Sequence, residues 1–161
     1  MIISIATVED LDAVNSIRAD IYHDKTTDHE VRPEDSADSI MKTDRQITFI
    51  VTNDENISTG YITVHERSQF KPENEAEFEL FVKRDFRGKG IGKMLLRAAI
   101  DYVSHHPTFD KLTLMVYKTS RAMGLYESFG FNTIGEINSK ALEMYLDVKV
   151  GNSSSAHDIQ N

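Results

Sequence analysis

The sequence predicts an α/β (α+β) domain, and three observations carry that reading. Strand-like and helix-like patterns follow one another in the order β-α-α-β-β-β-α-β-α-β-β, about seven strands and about four helices. Residues 77–97, EFELFVKRDFRGKGIGKMLLR, join a β-rich run to an amphipathic run through a basic glycine-rich turn. The 161 residues, at 40% hydrophobic content, suffice for one ordinary core without metals or disulfides.

Ile2 to Ala6 is a short apolar strand, and Thr7 with Glu9 and Asp10 makes a helix N-cap with acids in the first turn. That helix runs to about Tyr22 and buries Leu11, Val14, Ile17 and Ile21 at helical spacing. Residues 23–45 are polar and acidic, with Pro33 opening a second short helix that ends near Met41. Ile47 to Thr52 and Ile57 to Glu66 form a hairpin about Asn53–Asn56, and the polar stretch Arg67 to Glu75 leads into a central strand ending at Val82. A helix follows from about Lys93 to His105, burying Leu95, Leu96, Ala99, Ile100 and Val103, with Pro107 beyond its end. Lys111 to Tyr117 is a strand, and Ser120 to Phe129 a short helix stopped by Gly130. Strands at Asn132 to Ile137 and Ala141 to Val148 complete a domain over residues 1–148. The tail, residues 149–161, has nothing to bury and is expected to be disordered.

The turn at residues 87–93 carries the chemistry. Gly88, Gly90 and Gly92 allow backbone angles closed to other residues, so that several N–H groups can converge where a helix exposes its unpaired N-terminal donors. An anion is the natural ligand. Lys83, Arg84, Arg87, Lys89, Lys93 and Arg97 stand there against the single acid Asp85, in a chain whose net charge is -8. A dinucleotide fingerprint fails because Lys93 holds the third glycine's place, and a P-loop fails because Met94 follows Lys93 where Ser or Thr should bind magnesium.

Arg87-x-x-Gly90-x-Gly92 after Leu80-Phe81-Val82 resembles the acyl-CoA-binding motif of the GNAT (Gcn5-related N-acetyltransferase) superfamily. Ala122, Leu125-Tyr126 and Gly130-Phe131 resemble its A-x-x-L-Y-x-x-x-G-F element. Together the two blocks are specific, and the resemblance covers about residues 1–148. It implies a mixed, mostly antiparallel sheet splayed between the fourth and fifth strands, with acetyl-CoA as co-substrate. Phe81 and Val82 would then pair with pantetheine through their backbones. Gly88, Lys89, Gly90, Ile91, Gly92 and Lys93 would present N–H groups to the pyrophosphate, capped by the Arg87 side chain. Thr119 replaces an asparagine that touches the cofactor in many members, and a threonine reaches less far. Read without the resemblance, R-G-K-G-I-G is a basic turn closing a strand-to-helix joint.

The implied reaction is direct attack of an amine on a thioester within a ternary complex. An alkylammonium with a pKa near 10.4 is only about one part in a thousand neutral at pH 7, so a base must take its proton. Glu77 and Glu79 alternate onto one face of the central strand and are the candidates; otherwise they are solvent-facing charges. The family pattern puts Tyr126 where it would protonate or hydrogen-bond the departing sulfur, whereas a lone helical tyrosine is more often a core aromatic. A backbone N–H near Phe81 or Val82 would receive the oxyanion.

For the acceptor, residues 1–60 hold thirteen acids against five bases, the whole net charge of the chain. An acidic wall would favour a small cationic amine; alternatively Asp20, Asp24, Asp28, Glu30, Glu34, Asp35 and Asp38 only keep helices soluble. A protein lysine or N-terminus, and a noncatalytic acyl-CoA sensor, are the competing readings. Ribosomal-protein alanine acetyltransferases are similar through L-Y-E-S-x-G-F but carry a glutamate on the fifth strand, where this chain has Leu114 and Met115. No cysteine is present, so a thiol nucleophile and a thiolate metal site are excluded, and the histidines, His65 included, show no metal-ligand spacing. The acidic balance argues against nucleic acid. With no apolar run near the roughly 20 residues that span a bilayer and no leader, a cytoplasmic protein is expected; family members commonly dimerise.

Overall fold

A computed structural model describes residues 1–23, 40–67 and 72–149. Its seven strands form one sheet in the order β1-β2-β3-β4-β5-β7-β6. They are β1 (Ile2–Ile5), β2 (Gln46–Thr52), β3 (Ser58–Glu66), β4 (Glu75–Val82), β5 (Lys111–Tyr117), β6 (Asn132–Glu136) and β7 (Ala141–Asp147). Three α-helices lie among the described residues, α1 (Leu11–Tyr22), α2 (Ile91–His105) and α3 (Met123–Ser128), one fewer than expected. Of the helix expected from Pro33 to Met41 only Ile40, which is helical, and Met41 are described; its other residues, six of the seven acids of the expected wall, and the tail from residue 150 fall outside the described residues.

The chain divides into two compact units. One comprises Met1–His65 and Phe78–Ala99, the other Glu66–Glu77 and the chain from Ile100 onward.

In the first unit β1, β2 and β3 pair antiparallel, with Ile2 opposite Thr52 and Phe49 opposite Ile62. Thr7 caps a 3-10 turn, Val8–Asp10, that runs straight into α1: its hydroxyl accepts from the Glu9 N–H at 3.3 Å, while Asp10 accepts from the Thr7 N–H at 2.8 Å. Val14 and Ile17 of α1 cluster with Ile50, Tyr61, Ala6 and Ile40, and Leu11, Ala13 and Phe81 pack against them. Ile21 is buried too, as the helical spacing requires. The buried hydroxyls of Thr48 and Thr63 satisfy each other at 2.9 Å. The hairpin turn closes on Asn53, whose side-chain oxygen accepts from the N–H groups of Glu55 and Ile57.

In the second unit β5, β7 and β6 pair antiparallel, and the start of β4 lies parallel to β5. That parallel ladder covers only Glu75, Ala76 and Glu77 against Lys111, Leu112 and Thr113. Thr113 reinforces it by donating to the Ala76 carbonyl at 3.1 Å. β4 therefore starts at the far end of the stretch expected to be a loop. Its first residue, Glu75, is held by Arg67 at 2.7 Å, and Arg67 also pairs with Glu143. Lys111 adds a cation 3.9 Å from Glu75 and 3.8 Å from Asp147. Charges this enclosed are stable only when paired.

Candidate active site

The glycine-rich turn adopts left-handed backbone at two of its three glycines. Gly88 and Gly90 have φ of 74° and 83°, and a Cβ on either would meet nothing within 4 Å. Glycine is thus demanded there by backbone angle and not by crowding. α2 starts at Ile91, two residues earlier than expected, because Gly90 already accepts the first helical bond, from Met94 at 3.1 Å. Gly92 consequently lies inside the first turn of α2, and the left-handed backbone expected of all three glycines is confined to Gly88 and Gly90. The N–H groups of Ile91, Gly92 and Lys93 belong to the turn whose donors have no intrahelical partner. Arg87, Lys89 and Lys93 are exposed around them, with Lys89 lying 5.1 Å from the Phe86 ring. These residues fit a pyrophosphate in donor type, charge and open space.

β4 leads into that turn. Bonds at the two ends of the β3–β4 ladder, Lys83 N–H to Thr59 at 2.9 Å and Arg67 N–H to Glu75 at 3.0 Å, share one register. Odd-numbered residues of β4 therefore turn their main-chain groups toward β3, and even-numbered ones toward the opposite edge. Phe81, expected to offer its backbone to pantetheine, faces β3 instead; Leu80 and Val82 face away. The Val82 carbonyl accepts from Arg87 Nε at 3.1 Å.

The side chains of Glu77, Glu79 and Phe81 share one face of the strand by alternation. Glu77 is half-buried and Glu79 exposed. Above Glu79 stands a residue that sequence reasoning missed. Arg18 of α1 donates to the hydroxyl of the buried Tyr61 at 2.8 Å, lies 5.5 Å from the Phe81 ring centroid and 3.7 Å from the Glu79 carboxylate. The Tyr61 and Phe81 rings are themselves in contact, centroids 5.3 Å apart. A signal was present in the sequence: Arg18 occupies a core-facing place in the series Leu11, Val14, Arg18, Ile21, where an apolar side chain belongs.

Of the acids in the first 60 residues that are described, Asp10 serves the Thr7 cap, Asp20 accepts from the Arg84 N–H at 2.8 Å, and Asp54 holds the Met1 amino group at 2.7 Å. Asp20 and Arg84 also line, with Ser16, Ala19, His23 and Lys83, a cavity of about 320 Å³. Neither glutamate candidate borders it.

Tyr126, on α3, is 6% exposed, and burial pushes its phenol up to about 12. Its place is set by the end of the helix. Gly130, at φ 90°, donates to the Glu127 carbonyl at 3.0 Å, and Phe131 donates to the Tyr126 carbonyl at 3.1 Å. This is a Schellman cap, and its expected apolar contact is the edge-on packing of Phe131 on Tyr126, 6.0 Å between centroids. The spacing L-Y-x-x-x-G-F is thus the spacing of a capped helix end. α3 is shorter than expected because residues 120–122 form a turn, with Ser120 bonded to Tyr117 and the Ala122 N–H to the Ser120 hydroxyl. Thr119 is exposed on the turn after β5. On β5 itself Leu114 is buried and Met115 is 49% exposed, so no carboxylate projects from that stretch.

Among the described residues no cluster of His, Cys, Asp or Glu could hold a metal ion, and no helix is long and apolar enough to cross a membrane.

The model of the acetyltransferase (GNAT) family matches residues 11–131. The chain belongs to the GNAT acetyltransferase family. That family is one of acetyltransferases. A probable spermine N(1)-acetyltransferase from Bacillus subtilis subsp. natto (strain BEST195) is 30% identical over 59 residues, which span 36% of this chain and 39% of that relative. The fold is similar to that of yncA from Salmonella typhimurium, described as a putative acetyltransferase and solved with its cofactor acetyl-CoA, at TM-score 0.75 and 18% identity over 92% of this chain and 94% of that one. It is also similar to that of a chimera of the Vibrio cholerae spermidine N-acetyltransferase SpeG with hSSAT, at TM-score 0.69 and 20% identity over 92% of this chain and 95% of that one.

Proposed function

We propose that the protein acetylates a small cationic amine, by direct attack of the amine on acetyl-CoA within a ternary complex. The observation that carries the reading is the pair of left-handed glycines, Gly88 and Gly90, opening α2 at Ile91 amid basic side chains. The bound thioester supplies an activated acetyl group and a thiolate leaving group. The N–H groups of residues 88–93, with Arg87 beside them, hold its pyrophosphate, and the outward main-chain groups of Val82 engage the pantetheine arm. Because Leu80 and Val82 share the outward edge, Val82 is the residue of the Phe81–Val82 pair suited to receive developing negative charge on oxygen.

Glu79 takes the proton of the incoming ammonium, directly or through water, with Glu77 the alternative on the same strand face. Tyr126 donates a hydrogen bond to the departing sulfur. With the phenol at about 12 and a thiol near 8.5, complete proton transfer to sulfur would be uphill by about 4–5 kcal/mol. Tyr126 therefore works as a neutral donor. Thr119 is a further contact to the cofactor from the turn after β5.

The cationic acceptor rests on the net charge of -8 and on the similarity to a protein named as a probable spermine acetyltransferase. Protein N-terminal acetylation in the ribosomal-protein style is disfavoured by Leu114 and Met115 on β5. The test is turnover of acetyl-CoA with polyamines, aminoglycosides, amino acids and short peptides, read as free thiol. Acceptance of spermine or spermidine over peptides is the expected result. A preference for peptides would move the acceptor to protein, and acetyl-CoA binding without turnover on any amine would leave a sensor.

A further inference from the structure

We infer that Arg18 is a positioning residue for the base, an inference that rests on Glu79 holding that role. Arg18 projects from the apolar side of α1, its side chain 13% exposed. A guanidinium so enclosed is destabilising unless its charge and donors are engaged. One of its hydrogen bonds goes to the Tyr61 hydroxyl at 2.8 Å, and Tyr61 is fully buried, so the anchor is a fixed point of the core. Its guanidinium Cζ lies 5.5 Å from the centroid of Phe81, two residues along β4 from Glu79. Lysine would provide the charge without the plane or the fork.

The distance to Glu79 decides what the pair does. At 3.7 Å the guanidinium attracts the carboxylate but is too far to hydrogen-bond it. Glu79 is drawn to one position while its lone pairs stay available, and its side chain is 53% exposed to whatever approaches. A neutralising partner would instead sit at hydrogen-bond distance, as Arg67 does on Glu75 at 2.7 Å, where both side chains are enclosed. Arg18 thus fixes two neighbouring features of β4 from one anchor: the direction of Glu79 and the tilt of Phe81.

The test is a double-mutant cycle with R18M, E79Q and R18M/E79Q, using acetyl-CoA and spermine and reading kcat, both KM values and thermal unfolding. R18M is expected to lower kcat roughly 10- to 100-fold, the scale for a displaced catalytic group, with KM for acetyl-CoA within about twofold. R18K should recover little of the loss. In the E79Q background R18M should cost less than about twofold, because there is no longer a base to position. Full multiplication of the two effects, or an R18M loss that merely follows a lowered unfolding temperature, overturns the inference while leaving Glu79 as base. Wild-type kcat in E79Q removes the base role and the inference with it. Absence of spermine turnover by the wild-type protein overturns the proposed acceptor, the ground on which both stand.

Discussion

A Cβ placed on Gly60 would stand 2.8 Å from the carbonyl oxygen of Phe81, with side-chain atoms of Ile91 and Val82 at 3.1 and 3.2 Å. β3, β4 and the first residue of α2 meet at that glycine. The contact is to backbone, so relief requires β4 to move. Gly60→Ala is expected to cost about 1–3 kcal/mol, the usual range for overpacking. Because β4 and the start of α2 shift with it, acetyl-CoA affinity should fall as well, measured by calorimetry beside thermal unfolding. Unchanged affinity in a folded variant would show that Gly60 serves packing alone.

Gly88 and Gly90 make the opposite case, since the space at each Cβ is open and only the backbone angle objects. Alanine at Gly90 costs about 1–2 kcal/mol if the left-handed conformation is kept. The expected outcome is an acetyl-CoA dissociation constant raised at least about tenfold with a near-native circular dichroism spectrum. Wild-type affinity would remove the turn from the cofactor site.

Tyr126→Phe removes the hydroxyl and leaves the ring against Phe131. Loss of a neutral hydrogen bond to sulfur predicts kcat lower by about 10- to 100-fold with acetyl-CoA binding retained. Full activity would return Tyr126 to the core.

The same residue sets an alkaline limit. Its pKa is raised in the folded chain from 10.0 to about 12 by burial, so between those values the unfolded chain loses a proton that the folded chain keeps. The stabilisation is complete below pH 10 and is lost as pH climbs to 12, by up to about 3 kcal/mol. Denaturant unfolding of wild type and Tyr126→Phe at pH 8 and 11.5 measures it: wild type should lose more stability over that interval.

Gly130→Ala tests the helix end. At φ 90° alanine is strained, and the bonds from Gly130 and Phe131 that hold the Tyr126 segment weaken. A loss of about 1–2 kcal/mol with a drop in kcat like that of Tyr126→Phe is expected. Lowered stability with normal kcat would separate the cap from the chemistry.

Most of the architecture was legible in the sequence because its signals are local. The apolar series of α1, the hairpin at Asn53 and the paired motifs about Gly90 and Gly130 depend on residues within one turn or one strand of each other. The boundaries that slipped did so for reasons of longer range. β4 begins at Glu75 because Arg67 and Lys111 hold that carboxylate and Thr113 bonds the Ala76 carbonyl. A polar stretch cannot announce such partners from its own composition.

By itself the sequence determined the order of strands and helices, the glycine positions that permit a left-handed turn before α2, and the local concentration of positive charge around it. These follow from backbone sterics and side-chain periodicity. Only the tertiary structure decided that Phe81 turns its main chain toward β3 and Val82 does not, since strand register is set by a partner some twenty residues away. It also decided that the charge beside Glu79 is Arg18. An arginine on an apolar helix face has no meaning until the hydroxyl, ring and carboxylate that engage it are brought together, and those come from α1, β3 and β4.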